Sequence, residues 1–135
     1  RKNIKKVVLP KNITEIPNSF FNVALNINQI QLPENLEKIG ESAFYNCEKL
    51  ENVKIPDTVK IIGDSAFCNC KTIEKIKIPN GIENIGNTAF DGCSLLSSVQ
   101  YNGKTYTSKS SLKKALTEDG KTIGYNVFTN TGLED

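Results

Sequence analysis

The sequence repeats with a period of 23 residues, and this period constrains the fold more than any other feature. Several positions of the repeat keep one residue type from copy to copy. They include a proline (Pro10, Pro33, Pro56, Pro79), a phenylalanine (Phe21, Phe44, Phe67, Phe90) and, from the second copy, a cysteine (Cys47, Cys70, Cys93). Such a period is typical of solenoids, in which each repeat is one coil. Because no single unit can bury its own apolar side chains, neighbouring coils must share a core.

Each repeat predicts two short strands and a turn. Apolar residues alternate at Val53 and Ile55, which indicates a strand, and Pro56 ends it because proline cannot donate to a strand ladder. A second β-rich segment follows at Val59 to Ile62. Residues 64–70 are then expected to form one helical or 3₁₀ turn that buries its alanine and phenylalanine. The prediction is an α/β-type repeat solenoid with parallel strands.

The unit at residues 50–70 reads Leu-x-x-Val-x-Ile-Pro-x-x-Val-x-x-Ile-Gly-x-x-Ala-Phe-x-x-Cys. It resembles the BspA-type leucine-rich repeats of bacterial and protozoan surface proteins. The unit returns at 73–93 and, less faithfully, at 27–47. The resemblance implies a right-handed leucine-rich repeat coil. Because members of that family are mostly extracellular or surface-attached and are linked to adhesion and host-protein binding, it also implies a secreted or cell-surface protein that binds other proteins.

With 135 residues, the chain is expected to form a single leucine-rich repeat domain, 1–135. The repeats fall at about 4–26, 27–49, 50–72 and 73–95, and a modified last repeat with a C-terminal cap occupies 96–135. Ile4 already stands at a core position, so we expect the sequence to be a fragment of a longer protein. The first repeat departs from the pattern at Pro17, Phe20 and Ala24.

The C-terminal segment predicts a cap. Asn102-Gly103 is a strong signal for a type I′ hairpin, and Thr107 to Leu116 has the hydroxyl caps and apolar spacing of a helix. The motif at 123–128 then repeats that at 85–90 with a displacement of 38 residues instead of 23. An insertion carrying the hairpin and helix is therefore expected within a fifth coil. The tail from Thr129 to Asp135 is expected to fray.

Composition lowers the expectation of catalysis. The chain has no histidine, which removes the commonest general base and zinc ligand, and it shows no phosphate-binding loop or nucleophile elbow. We therefore predict a non-enzymatic protein without a cofactor or metal. A net charge of +2 gives no reason to expect nucleic acid binding, and no apolar run is long enough for membrane insertion. We expect a monomer.

The cysteines allow three interpretations. Cys47, Cys70 and Cys93 form a buried column of thiols, a disulfide or a metal site. We favour the thiol column because equivalent side chains of stacked coils point the same way, whereas a disulfide needs converging Cβ vectors. Cys68 stands where other repeats have Tyr45 and Asp91. It is expected to be exposed and to be the most reactive thiol.

The candidate binding face consists of the outward-pointing residues of the first strands. They are Lys6, Gln29, Gln31, Asn52, Lys54, Lys75, Lys77, Ser98 and Gln100. Stacked in one long sheet, they are expected to form flat, rigid ladders suited to an extracellular or host protein, or a polysaccharide. The ladders hold no aromatic residue of the kind that anchors most interfaces. A passive spacer or an accessory module of a larger surface protein is the alternative.

Overall fold

The computed structural model describes residues 5–22 and 26–135, so the predictions for Ile4 and Ala24 lie outside the described residues. The described chain forms eleven short strands and one helix. The strands are β1 Lys6–Val8, β2 Glu15–Ile16, β3 Gln29–Gln31, β4 Lys38–Ile39, β5 Asn52–Val53, β6 Ile61–Ile62, β7 Lys75–Ile78, β8 Asn84–Ile85, β9 Ser98–Tyr101, β10 Lys104–Tyr106 and β11 Thr122–Ile123. The helix is α1, Lys109–Glu118.

Equivalent strands of successive coils pair in parallel at the register that the period predicts. Strands β2, β4, β6, β8 and β11 form one five-stranded sheet, in which Ile39 pairs with Ile62 and Ile62 with Ile85, 23 residues apart each time. Ile123 of β11 pairs with Ile85 at the predicted displacement of 38 residues. The repeat coil predicted from the sequence is confirmed.

The segment after each second strand differs from the prediction, because it forms consecutive β-turns instead of a helical or 3₁₀ turn. Ser65 and Asn69 have left-handed φ angles of 56° and 62°. Every second N–H of the turn, those of Ser65, Phe67 and Asn69, donates to the next coil, and the Phe67 N–H donates to the Ala89 carbonyl at 2.8 Å. The Ala66 N–H instead donates to Gly63 within its own turn at 3.2 Å. The third side of the coil therefore also carries a hydrogen-bonded ladder.

A stack of phenylalanine rings forms the centre of the core. Phe44, Phe67 and Phe90 are fully buried, and neighbouring rings lie nearly parallel with centroids 5.1 and 5.3 Å apart. Phe21 continues the stack at one end and Phe128 at the other. Rings of this spacing attract each other beyond the area that they bury. The inward position predicted for the phenylalanines is confirmed.

The predicted cap is present. Asn102 and Gly103 have left-handed φ angles, and they join β9 to β10 as an antiparallel hairpin. The Ser108 side chain accepts the Ser111 N–H and begins α1, which packs on β10 and β11. The Tyr101 hydroxyl donates to the Asp119 carboxylate at 2.5 Å, and so joins the hairpin to the end of the helix.

The prediction that the tail frays is wrong. Leu133 is buried in the core. The Glu134 N–H donates to Thr107 at 2.8 Å, and its carbonyl accepts the Lys109 N–H at 2.6 Å. The tail is fixed because one apolar side chain enters the core and the backbone around it pairs with the segment that begins α1.

Candidate binding face

The outward side of the first strands is the face that the sequence singled out, and β7 shows how it is built. Ile76 and Ile78 are buried, whereas Lys75 and Lys77 between them are exposed. Successive side chains of a strand point to opposite sides of the sheet. Where first strands pair in parallel, the register is 23 residues, so each outward side chain stands beside its equivalent in the next coil.

The first strands do not form the one long sheet that was expected. Strands β1, β3 and β5 form one parallel sheet, whereas β7, β9 and β10 form another. The boundary between the two sheets lies between β5 and β7, and we call it the seam. Lys54 and Lys77 stand on either side of it, at the same position of consecutive repeats.

The face is grooved, which corrects the expectation of a flat surface. An open groove of about 700 Å³ runs along the seam, and we call it the seam groove. Its lining includes Lys54, Lys75, Lys77, Leu95, Ser98 and Gln100. A second groove of about 710 Å³, the N-terminal groove, is lined by residues that include Lys6, Gln29, Gln31, Glu34, Lys54 and Asp57.

The two grooves bring together eight of the nine residues proposed from the sequence. Of these eight, Gln29 and Ser98 are half-buried and the other six are exposed. The ninth, Asn52, lies in β5. Lys54 lines both grooves and so marks where they meet.

Two features of this face were not predicted from the sequence. One is its acidic component, since Glu74 lines the seam groove and Asp57 lies 3.9 Å from the Lys77 ammonium. The other is Leu95, a groove residue whose surface is 51% exposed. A signal was present, because the same position of the repeat holds Thr72 and Lys49 in earlier copies.

The cysteines form the predicted column of buried thiols. The Cys47, Cys70 and Cys93 thiols each donate to a phenylalanine carbonyl of the preceding coil at 3.1 Å. Burial raises the pKa of the Cys93 thiol to about 12, and it raises the pKa of Cys70 well above its ordinary value. The Cys70 and Cys93 thiols are therefore protonated hydrogen-bond donors at neutral pH.

The prediction that Cys68 is exposed is wrong, because its surface is only 9% accessible. A short side chain inside a tightly hydrogen-bonded turn is covered more easily than the tyrosine and aspartate of the equivalent positions. Burial raises the pKa of its thiol, and the Asp91 carboxylate raises it further. Cys68 therefore lacks the low pKa and the exposure of a reactive cysteine.

The described part of the chain holds no candidate for a metal site or a membrane span. Across residues 5–22 and 26–135, no three His, Cys, Asp or Glu side chains cluster in a way that would hold a metal ion. Over the same residues, no helix combines the length and apolarity that crossing a bilayer requires.

A family model described as the BspA type leucine rich repeat region, with six copies, matches residues 1–112. Among solved structures, the leucine rich repeat protein TpLRR of T. pallidum is similar over 85% of this chain, with 27% identity and a TM-score of 0.69. This chain covers 59% of that protein's chain, or less than two thirds of its length. No curated protein matches the sequence.

Two further structures share the fold at lower identity. A leucine rich cell surface protein of Faecalibacterium prausnitzii is 21% identical, with a TM-score of 0.60 over 97% of this chain and 41% of its own. The pneumococcal vaccine antigen PcpA is 18% identical, with a TM-score of 0.55 over 96% of this chain and 39% of its own.

Proposed function

Because this chain belongs to the BspA-type leucine-rich repeat family, we propose that it is a non-enzymatic adhesion module, displayed at a cell surface, that binds an extracellular or host protein. The observation that carries the proposal is the grooved face. Eight outward side chains from five coils line two adjoining grooves on one side of a stacked scaffold. Repetition holds these side chains in register, so binding an extended partner costs little conformational entropy.

The surroundings of the face support binding over catalysis. The sequence has no histidine, and the raised pKa values of Cys68, Cys70 and Cys93 argue against a thiolate nucleophile. The cell-surface location is proposed from relatives of the same fold, since one is described as a leucine rich cell surface protein and another as a vaccine antigen.

The test is binding of the purified chain to a panel of extracellular-matrix proteins and polysaccharides, with two charge-matched variants. The face variant changes Lys54, Lys75 and Lys77 to Glu. The control changes Lys60, Lys113 and Lys114 to Glu, because these exposed lysines lie outside both grooves and the net charge changes equally. We expect the face variant to weaken binding to a matrix protein by about tenfold or more, with a loss of salt dependence, while the control stays within about twofold.

Three outcomes contradict the proposal. If the chain binds nothing on the panel, the passive spacer is favoured. Equal weakening in both variants means a nonspecific charge effect. If the chain binds a polysaccharide selectively and binds no protein, the partner is a polysaccharide and the proposed protein partner is wrong. Circular dichroism of each variant checks that the coil is intact.

A further inference from the structure

Three lysines at the seam form a cluster of like charges. Lys75 and Lys77 are two residues apart on one side of β7, which separates their Cα atoms by about 7 Å. Lys54 precedes Lys77 by one repeat and lines the seam groove together with Lys75 and Lys77. We call these three residues the lysine cluster. Like charges gathered on one face contribute no favourable electrostatic interaction with one another.

Carboxylates of the chain neutralise the lysine cluster only in part. In the described ranges, no ion pair within 4.0 Å joins Lys54 or Lys75 to a carboxylate. Lys77 is 3.9 Å from Asp57, whose side chain is 85% exposed, and an exposed pair at that distance contributes little. Glu51 and Glu74 also line the seam groove, so three lysines face two carboxylates there and positive charge remains in excess.

An exposed apolar side chain lies in the same groove. Leu95 lines the seam groove and is 51% exposed. The N-terminal groove is lined by two lysines, Lys6 and Lys54, and by an equal number of acidic residues, Glu34 and Asp57. An excess of positive charge beside a large exposed apolar side chain thus distinguishes the seam groove from its neighbour.

We infer that the seam groove binds an extended acidic peptide segment of the protein partner. A carboxylate of the segment lies against the lysine cluster, and an apolar side chain packs on Leu95. Lys75 and Lys77 are about 7 Å apart along β7, which matches the spacing of alternate side chains in an extended peptide that runs along the strand. This inference rests on the proposed function, because it names the chemistry recognised at the same face.

The test uses the isotope-labelled chain and a synthetic probe, the acetylated and amidated peptide Leu-Thr-Glu-Thr-Glu-Thr. Amide chemical shifts detect binding even at a Kd of about 1 mM and locate it along the chain. The same peptide with Gln in place of Glu is the matched probe. The variants are Lys54→Gln with Lys77→Gln, Leu95→Thr, and the control Lys113→Gln with Lys114→Gln.

We expect the acidic peptide to shift amides of residues 74–77 and 95–100. Binding should weaken about tenfold in the double lysine variant and about threefold in Leu95→Thr, and the control should bind as the parent does. The Gln peptide should bind at least about tenfold more weakly. The inference is overturned if the two peptides bind with equal affinity or if no amide of these residues shifts. A sulfated tetrasaccharide serves as a further probe, and shifts produced by it alone also overturn the inference.

Failure of this inference can be told apart from failure of the proposed function. If a matrix protein binds the chain and the face variant loses it, the binding face stands. Failure of the acidic peptide to compete for that protein then overturns the acidic-segment inference alone. If no protein binds at the face, the proposed function fails whatever the peptide does.

Discussion

The stack of phenylalanine rings gives the sharpest test of how the coils are held together. In Phe67→Ala, the residue loses a fully buried ring with stacked neighbours at 5.1 Å and 5.3 Å. Removing the ring from the core costs about 1.5–3 kcal/mol of transfer free energy, and each lost ring pair costs about 0.5–1.5 kcal/mol more. The sum of these two contributions agrees with the cost of such truncations in protein cores, which is about 3–5 kcal/mol.

The assay is urea unfolding followed by far-ultraviolet circular dichroism, with Phe67→Leu and Phe21→Ala as companions. Phe67→Leu keeps most of the apolar volume and loses only the ring pairs, so we expect it to cost about 1–3 kcal/mol. Phe21 is half-buried and stacks on one ring of the column, Phe44, so its truncation should cost about half as much as that of Phe67.

The ordering of the three variants decides the outcome. A loss below about 1 kcal/mol in Phe67→Ala, or equal losses for Phe67→Ala and Phe21→Ala, would refute the view that the rings bind one coil to the next. If Phe67→Ala does not fold, the comparison of Phe67→Leu with the parent protein still tests the ring pairs.

Three further predictions concern the thiols and the cap. Folding raises the pKa of Cys93 from 9.0 to about 12, so the thiol ionises first in the unfolded chain. The stability that this thiol contributes is intact below pH 9 and should fall by about 1.4 kcal/mol per pH unit between pH 9 and 12. In alkaline urea titrations, Cys93→Ala should therefore lose stability with pH less steeply than the parent protein. All four thiols, including Cys68, should resist Ellman's reagent in the native protein and react in urea. If one thiol of the native protein reacts fast and Cys68→Ser removes that reaction, the burial of Cys68 is contradicted. Leu133→Ala should lower the free energy of unfolding by about 2–4 kcal/mol, whereas a frayed tail would give no change.

The cap shows how far local pattern carries a prediction. Asn102-Gly103 specified the hairpin because few residue pairs accept two successive left-handed conformations. Ser108 and the apolar spacing of Leu112 and Leu116 specified the helix in the same way. The tail was mispredicted because its short polar sequence contains one apolar residue, and only the assembled fifth coil provides a site for Leu133.

The turns carried a signal that was overlooked. The last left-handed position of each turn holds Asn46, Asn69 or Gly92, all of them residues that tolerate positive φ. Reading that column would have favoured β-turns over a helical turn. The earlier left-handed position holds Ser42, Ser65 and Thr88, which have no such preference, so there the ladder between coils imposes the conformation.

The sequence by itself determined the coil, the register and the inward columns, because a strict 23-residue period allows only one alignment in which every apolar position is buried against its own copy. It also determined which side chains point outward, since the alternation of a strand is local. The tertiary structure decided the burial of Cys68, the fixing of the tail and the division of the first strands at the seam. Each of these depends on packing between coils or against the cap, which the pattern within one repeat does not contain.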